Sequence, residues 1–509
     1  MNVSGWSKSA FCLTLILVVL LGGCSSIVHK PQLASSAGSH KIAIFFDGTR
    51  NDIADDTNVK RLHSLVSLQR RTDVSTLYIE GVGVGTDVIG AATGLGMAPR
   101  VKIAYEFLLN HYRDGDEIYI FGFSRGAYAA RILSAMLYHA GLVKSDERLQ
   151  MKSDERLQST EIAKAVFDAY KFPFPEELRA DNERVKRGSI TFGSLEVVFD
   201  APKEVVSRRN QIKVELEKQK LKVGAPVSVD VLGLWDTVEA MGLPDWDSRM
   251  LHRLGIKQHL VDVDGKNTRY GEQLCNVKRA YQAHSIDDDR EWIFTPLSLT
   301  RTYLFKQCDA DGEHLLDKEG KIIPGRLREV WFSGAHSDVG GGYGDSLLSG
   351  VSLNWMIKNL TGKGNGKYDE KSDAGLLPSN AGVPEDMFGS SHDPESGVWS
   401  LLYHKMSRDI ATYVTDKYKR RGEFGATLCV HKSVLERRNL MGWEEHENGS
   451  LSLLEEGVVY LKETYPYGKD EIWKPRLREI KKGELRNPLL TMKIEVWPNC
   501  TGMNMEGAQ

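Results

Sequence analysis

The stretch from Asp116 to Arg131, Asp-Glu-Ile-Tyr-Ile-Phe-Gly-Phe-Ser-Arg-Gly-Ala-Tyr-Ala-Ala-Arg, constrains the fold more than any other. Glu117 to Phe121 is an apolar run rich in β-formers, which predicts a short buried strand. Ala127 to Leu137 has helix-forming composition. Between them lies Gly122-Phe123-Ser124-Arg125-Gly126, a Gly-x-Ser-x-Gly turn in the strand-to-helix context of a nucleophile elbow. Such a turn strains the serine and exposes its Oγ. Glycines flank it because side chains there would strike the neighbouring strand and helix. The helix that follows aims its first N–H groups at the site, so Arg125 N–H is the first expected oxyanion donor.

The chain around the elbow repeats one unit of strand, turn and helix. Lys41–Phe46 predicts a strand ending in Asp47-Gly48-Thr49, and 58–69 a helix. Thr76–Ile79 predicts a second strand, and 101–112 a helix closed by Asp114-Gly115. The glycine run after Glu80 lacks the Gly-x-Gly-x-x-Gly spacing of a dinucleotide site. Alternating elements of this kind predict an α/β fold: a mostly parallel sheet with helices on both faces, its chemistry at the C-terminal strand ends. A strand at 227–234 ends at Trp235-Asp236. Residues 275–286 predict a helix carrying His284, and 329–332 a strand running into Ser333-Gly334-Ala335-His336. Residues 351–360 predict a helix, 362–397 a Gly-, Ser-, Asp- and Pro-rich loop, and the remainder short strands and loops. The segment about 144–224 is charged, contains Lys-Ser-Asp-Glu-Arg-Leu-Gln twice in tandem, and reads as an insertion or cap.

A serine nucleophile needs a base, and the base needs an acid to orient it. In an α/β-hydrolase-like fold the order along the chain is Ser, acid, His. Ser124 is the expected nucleophile, and Asp236 the expected acid on the same edge. Two histidines compete for the base. His336 ends a strand and opens a glycine-rich loop; His284 is nearer in sequence and precedes Asp287-Asp288-Asp289. His336 is preferred, with His284 as the alternative and the loser expected to be a supporting hydrogen-bonding residue. Asp338 is read as orienting a histidine or capping Gly340–Gly342. The second oxyanion donor is expected from Gly48 N–H, in the loop after the first strand. This chemistry needs no metal and no cofactor.

The N-terminus carries a second signal. Phe11–Leu21 is an apolar run too short to span a bilayer, followed by Leu21-Gly22-Gly23-Cys24. This reads as a signal peptide over 1–24 that resembles a bacterial lipobox, with cleavage before Cys24 and diacylglycerol on its thiol. Ser25 resembles the sorting residue of outer-membrane lipoproteins. The chain is thus expected in the cell envelope, facing the periplasm and held by a lipid anchor. Residues 25–40 read as a tether, 41–360 as the catalytic domain and 361–509 as a C-terminal loop and extension. Cys275, Cys308, Cys429 and Cys500 remain for disulfides, and their spacing selects no pairing. A net charge of −3 with no long basic stripe argues against a nucleic-acid partner.

Several segments in order resemble a known family. They are Phe45–Thr49, Gly115–Tyr128, Trp235–Val238 and Trp331–Tyr343, and Val430–Val434 also looks like a family segment. Together they resemble the catalytic domain of the first class of type VI secretion lipase effectors. The resemblance covers about residues 41–360 and implies an α/β-hydrolase fold and a phospholipase with a Ser-Asp-His triad. On this sequence the triad falls on Ser124, Asp236 and one of the two histidines. The lipobox-like start departs from the effector pattern. Two further readings stay open at this point: a serine hydrolase of non-lipid esters, and a non-catalytic envelope module that keeps the fold.

Overall fold

A computed structural model describes residues 28–29, 31–36, 38–48, 55–81, 97–145, 158–170, 201–238, 274–288, 299, 326–361, 375–392 and 427–434, and five short strands between 443 and 496. Strands β1 (Lys41–Phe46), β2 (Val74–Ile79), β3 (Glu117–Phe123), β6 (Val231–Trp235), β7 (Ala280–Ser285) and β8 (Leu327–Phe332) form the heart of one sheet. Its order runs β2-β1-β3-β6-β7-β8, all parallel. Two minor strands, β4 (Lys144–Ser145) and β5 (Leu221–Lys222), pair with each other. Central strands such as β1, Lys-Ile-Ala-Ile-Phe-Phe, are apolar on both faces because helices cover both sides of the sheet.

Helices α2 (Met97–His111), α3 (Arg125–His139), α4 (Ser159–Tyr170) and α5 (Ala201–Glu217) supply one helical layer. Their apolar residues share a core cluster with Ile42, Ile44, Ile118, Ile120 and Leu232. Helix α1 (Asn58–Leu68) and helix α7 (Leu347–Leu360), which follows the short α6 (His336–Gly340), cover the other face over Phe45, Phe121, Trp235 and Phe332. Thr57 starts α1 by accepting a hydrogen bond from Lys60 N–H.

Four sequence-based boundaries change. Within the predicted helix over 275–286, Ala280–Ser285 is strand β7. Its alanines suggest a helix, but it is sandwiched between β6 and β8 and buried throughout. The 144–224 segment does not stand apart as a cap where it is described. Ile162, Val166 and Phe167 of α4 and Ile212 and Leu216 of α5 join the main core; most of its tandem repeat lies outside the described residues. The sheet does not end near residue 360. Parallel strands β9 (Thr427–Val430) and β14 (Lys493–Val496) extend it beyond β8, and β11 (Ser450–Leu453) and β10 (Trp443–Glu445) add antiparallel pairs. This covers the β8 edge that would otherwise be bare. A separate ribbon pairs β12 (Val459–Glu463) with β13 (Arg476–Ile480). Finally, the expected tether is bound: Val28 bridges Ile79 and Gln32 bridges Thr76, so residues 28–36 run along the outer edge of β2.

Candidate active site

Ser124 stands between β3 and α3 with φ 58° and ψ −126°, outside the regions a side-chain-bearing residue normally occupies. The packing around it enforces that conformation. Ser124 N–H donates to the Trp235 carbonyl at 3.0 Å, tying the elbow to the end of β6. A Cβ on Gly122 would lie 2.5 Å from the Gly126 carbonyl oxygen. One on Gly126 would lie 2.4 Å from the carbonyl oxygens of both Phe46 and Asp47. The exit of β1 therefore touches the start of α3, bringing the Asp47-Gly48 turn against the nucleophile. Gly126→Ala should force these backbones apart. It is expected to cost about 1–3 kcal/mol, read as a lowered thermal unfolding midpoint together with reduced activity.

Asp236 ends β6, one strand from Ser124, because Phe123 pairs with Trp235. Its φ of 38° turns the carboxylate across the sheet edge. Oδ1 accepts from Ser285 N–H at 3.0 Å, and Oδ2 lies 2.5 Å from His336 Nδ1. His336 opens α6 and is buried, with its ring 4.7 Å from that of Phe123, the residue before the nucleophile. Its loop is held from below by the acidic residues after β7. Asp288 Oδ2 accepts from His336 N–H at 3.0 Å, and Asp287 Oδ2 from Gly334 N–H at 2.7 Å. Ser124, Asp236 and His336 thus share the C-terminal edge of β3, β6 and β8.

His284 lies behind this group. It is fully buried on β7, with Nε2 2.6 Å from Glu329 Oε1 and Nδ1 3.6 Å from Asp236 Oδ1. Its ring stacks on Trp331 at 4.5 Å. Burial alone would lower its pKa, but Glu329 and Asp236 outweigh burial and raise it above the ordinary histidine value. With His284 protonated, the two carboxylates would leave the group with a net charge of −1, which a proton on His336 would neutralise. Glu329 was not singled out in the sequence. The available signal is a carboxylate within the apolar run Leu-Arg-Glu-Val-Trp-Phe, facing Gln282 in the register. Glu329 also accepts from Gln282 Nε2 at 2.9 Å and Leu299 N–H at 2.8 Å.

Other expected residues take different partners. Gly48 N–H donates to Asp47 Oδ1 at 2.7 Å, so in this structure it is bound within its own turn rather than offered to the site. Asp47 also accepts from Thr57 Oγ1 at 2.6 Å and from the Tyr78 hydroxyl. Burial pushes its pKa up to about 6. Arg125 begins α3, which puts its N–H at the elbow as expected from the local pattern. Asp338 orients a histidine, but it is His392, at 2.7 Å, and it also accepts from Ala335 N–H at 3.0 Å. Among the described residues, no group of three or more His, Cys, Asp and Glu side chains is placed to hold a metal ion.

The family model "T6SS, Phospholipase effector Tle1-like, catalytic domain" matches residues 40–359, more than half of the chain. The uncharacterised Saccharomyces cerevisiae protein YEL023C is 23% identical over 440 residues, which cover 66% of this chain and 58% of that protein's length. A solved structure of an uncharacterised Pseudomonas aeruginosa protein is 17% identical, covering 63% of this chain and 45% of its own, with TM-score 0.30. The Tle1 effector bound to the VgrG spike of the type VI secretion system is 16% identical, covering 61% and 53%, with TM-score 0.28. A Thermogutta terrifontis esterase is 14% identical, covering 67% and 90%, with TM-score 0.29. By the match over residues 40–359, the chain belongs to the family of Tle1-like phospholipase effector catalytic domains of type VI secretion.

Proposed function

We propose that the chain is an envelope-anchored phospholipase that cleaves acyl esters with Ser124 as nucleophile, His336 as base and Asp236 as the orienting acid. The observation that carries this is the 2.5 Å contact from His336 Nδ1 to Asp236 beside the strained Ser124 elbow. Ser124 Oγ attacks the ester carbonyl while His336 Nε2 takes its proton. The lipid alkoxide leaves with that proton, and the acyl group stays on Ser124. Water then loses a proton to His336 and attacks the acyl carbon. The fatty acid departs, and the proton returns to Ser124. Arg125 N–H is one oxyanion donor. Gly48 N–H serves as the second once it turns from Asp47 Oδ1, which couples substrate entry to movement of that peptide.

The anchor reading rests on the lipobox-like Leu21–Cys24, and several acyl chains hold a protein stably in a bilayer. The cysteines support an oxidising compartment. Cys275 and Cys429 are each disulfide-bonded. Cys429 lies on β9 and Cys275 precedes β7, two strand spacings away, about 10 Å. A disulfide needs Cα atoms within about 7 Å, so these are two separate bridges, as expected outside the cytosol.

The test is fatty-acid release from mixed phospholipid vesicles by the chain from residue 25 onward, beside Ser124→Ala. Release lost in the variant supports the reading. Labelling of Ser124 by a fluorophosphonate without lipid turnover would replace phospholipid with another ester. No labelling at all would favour a non-catalytic module.

His284 is proposed to position and charge-balance Asp236 rather than to act as the base. His284→Gln is therefore expected to lower kcat by about 10–100-fold, far less than His336→Ala, and to change the pH profile. The raised His284 pKa gives stability that is present below the ordinary histidine range and lost as pH rises through the raised value. The stability advantage of the unsubstituted chain over His284→Gln should thus shrink on the alkaline side in denaturant titrations.

A further inference from the structure

The path of residues 28–36 determines where the anchor must sit. Thr76 N–H donates to the Gln32 carbonyl at 2.9 Å, and the N–H groups of Ser35 and Ser36 donate to the Thr72 carbonyl at 2.8 and 3.0 Å. The segment therefore runs antiparallel to β2, with Val28 beside Ile79 and Ser36 near the start of the strand. His29 Nε2, 2.6 Å from Glu80 Oε1, pins it at the end of β2. Since β2 is parallel to β1 and β1 to β3, Val28 emerges at the same sheet edge as Ser124, Asp236 and His336. Cys24 precedes Val28 by four residues, a reach of at most about 14 Å. Three strand spacings, again about 14 Å, separate Val28 from the end of β3. The whole distance from lipid to nucleophile is then no more than about 30 Å, the thickness of a bilayer's hydrocarbon core.

The same edge carries exposed apolar side chains. Leu347, 39% exposed, opens α7, and Phe388, 49% exposed, sits in a turn joined to it by Asp386 N–H donating to the Leu347 carbonyl at 3.1 Å. The direction of α7 places them there. Asn58, at the start of α1, donates to the carbonyls of Val339 and Ser349 near the first turn of α7. Asn359 in its last turn meets Arg328 at the beginning of β8, on the opposite edge.

We infer that the catalytic edge docks on the bilayer that holds the Cys24 lipid, with Leu347 and Phe388 entering its headgroup layer, so that the enzyme draws substrate from its own membrane. This rests on the lipobox and phospholipase readings given above. A tether this short, pinned at Val28, cannot turn the catalytic edge toward an opposing membrane while the acyl chains stay inserted. The bound segment is thus an orienting device rather than a flexible spacer.

The inference is tested on the acylated full chain carrying Ser124→Ala, in phosphatidylethanolamine–phosphatidylglycerol vesicles that it cannot digest. Hydrogen exchange is compared with the non-acylated Cys24→Ser form of the same chain in buffer. Amides of 345–349 and 386–390 are expected to slow at least tenfold on the vesicles. No slowing there, slowing confined to the Leu68 end of α1, or a mature chain without acyl groups on Cys24 would overturn the inference. With an active Ser124, the double variant Leu347→Asp and Phe388→Asp should lower release from the chain's own vesicles about tenfold and leave a soluble short-chain ester unaffected. Unchanged release, or equal release from separately added vesicles, would also sink it. Exchange protection without any phospholipid turnover would keep the docking and reject the phospholipase reading.

Discussion

Ser124→Ala is expected to lower ester hydrolysis by about 10⁵–10⁶ while leaving thermal unfolding nearly unchanged. Among the described residues the hydroxyl makes no cap hydrogen bond to α3; Ser124 is fixed by its backbone N–H to Trp235 and by the close approach at Gly122 and Gly126. Alanine can keep the backbone but has no oxygen to attack a carbonyl. His336→Ala should cost a similar factor, and the double variant little more, because a nucleophile without its base and a base without its nucleophile fail at the same step. Fatty-acid release and fluorophosphonate labelling measure the two halves of this expectation. Retained labelling in Ser124→Ala would assign the nucleophile elsewhere.

Asp236→Asn is expected to cost about 10⁴ in kcat with little change in substrate affinity. Asp236 Oδ2 lies 2.5 Å from His336 Nδ1, and in the proposed triad it holds the proton on that nitrogen so that Nε2 can act as the base toward Ser124. An amide nitrogen in that place would favour the wrong tautomer. It would also remove one of the two carboxylates that raise the pKa of buried His284. The loss should therefore exceed that of His284→Gln, and the variant's pH–rate profile should shift along with its rate. An equal loss in both variants would mean that the pair acts mainly as structure.

The local parts of this molecule were legible from the chain. Elbow strand β3, its glycines and the helix after it follow from a short apolar run, two close approaches and helix-forming residues, all within one stretch. Asp236 and His336 were readable as strand-end residues because Val231–Trp235 and Leu327–Phe332 are apolar runs broken by turn residues. The sequence favoured His336 over His284 only weakly. Both precede acidic residues, and the parallel order β3-β6-β7-β8 puts the His336 ring beside Asp236 Oδ2 and the His284 ring beside Glu329.

Sequence alone determined the candidates and their order along the chain: a serine at a strand-to-helix elbow, then an acid, then one of two histidines, behind a lipobox-like start. Periodicity and turn chemistry are local, and a few neighbouring residues suffice to express them. Tertiary structure decided what depends on partners distant in the chain. Ala280–Ser285 became a strand because β6 and β8 needed one between them, against the helical bias of its alanines. Strands β9, β14, β11 and β10 joined the sheet because β8 had an edge to cover. Residues 28–36 became a bound segment because the edge of β2 offered unpaired backbone groups. Hydrogen-bonding groups at a sheet edge take partners from any part of the chain that reaches them, and no local pattern records which part that will be.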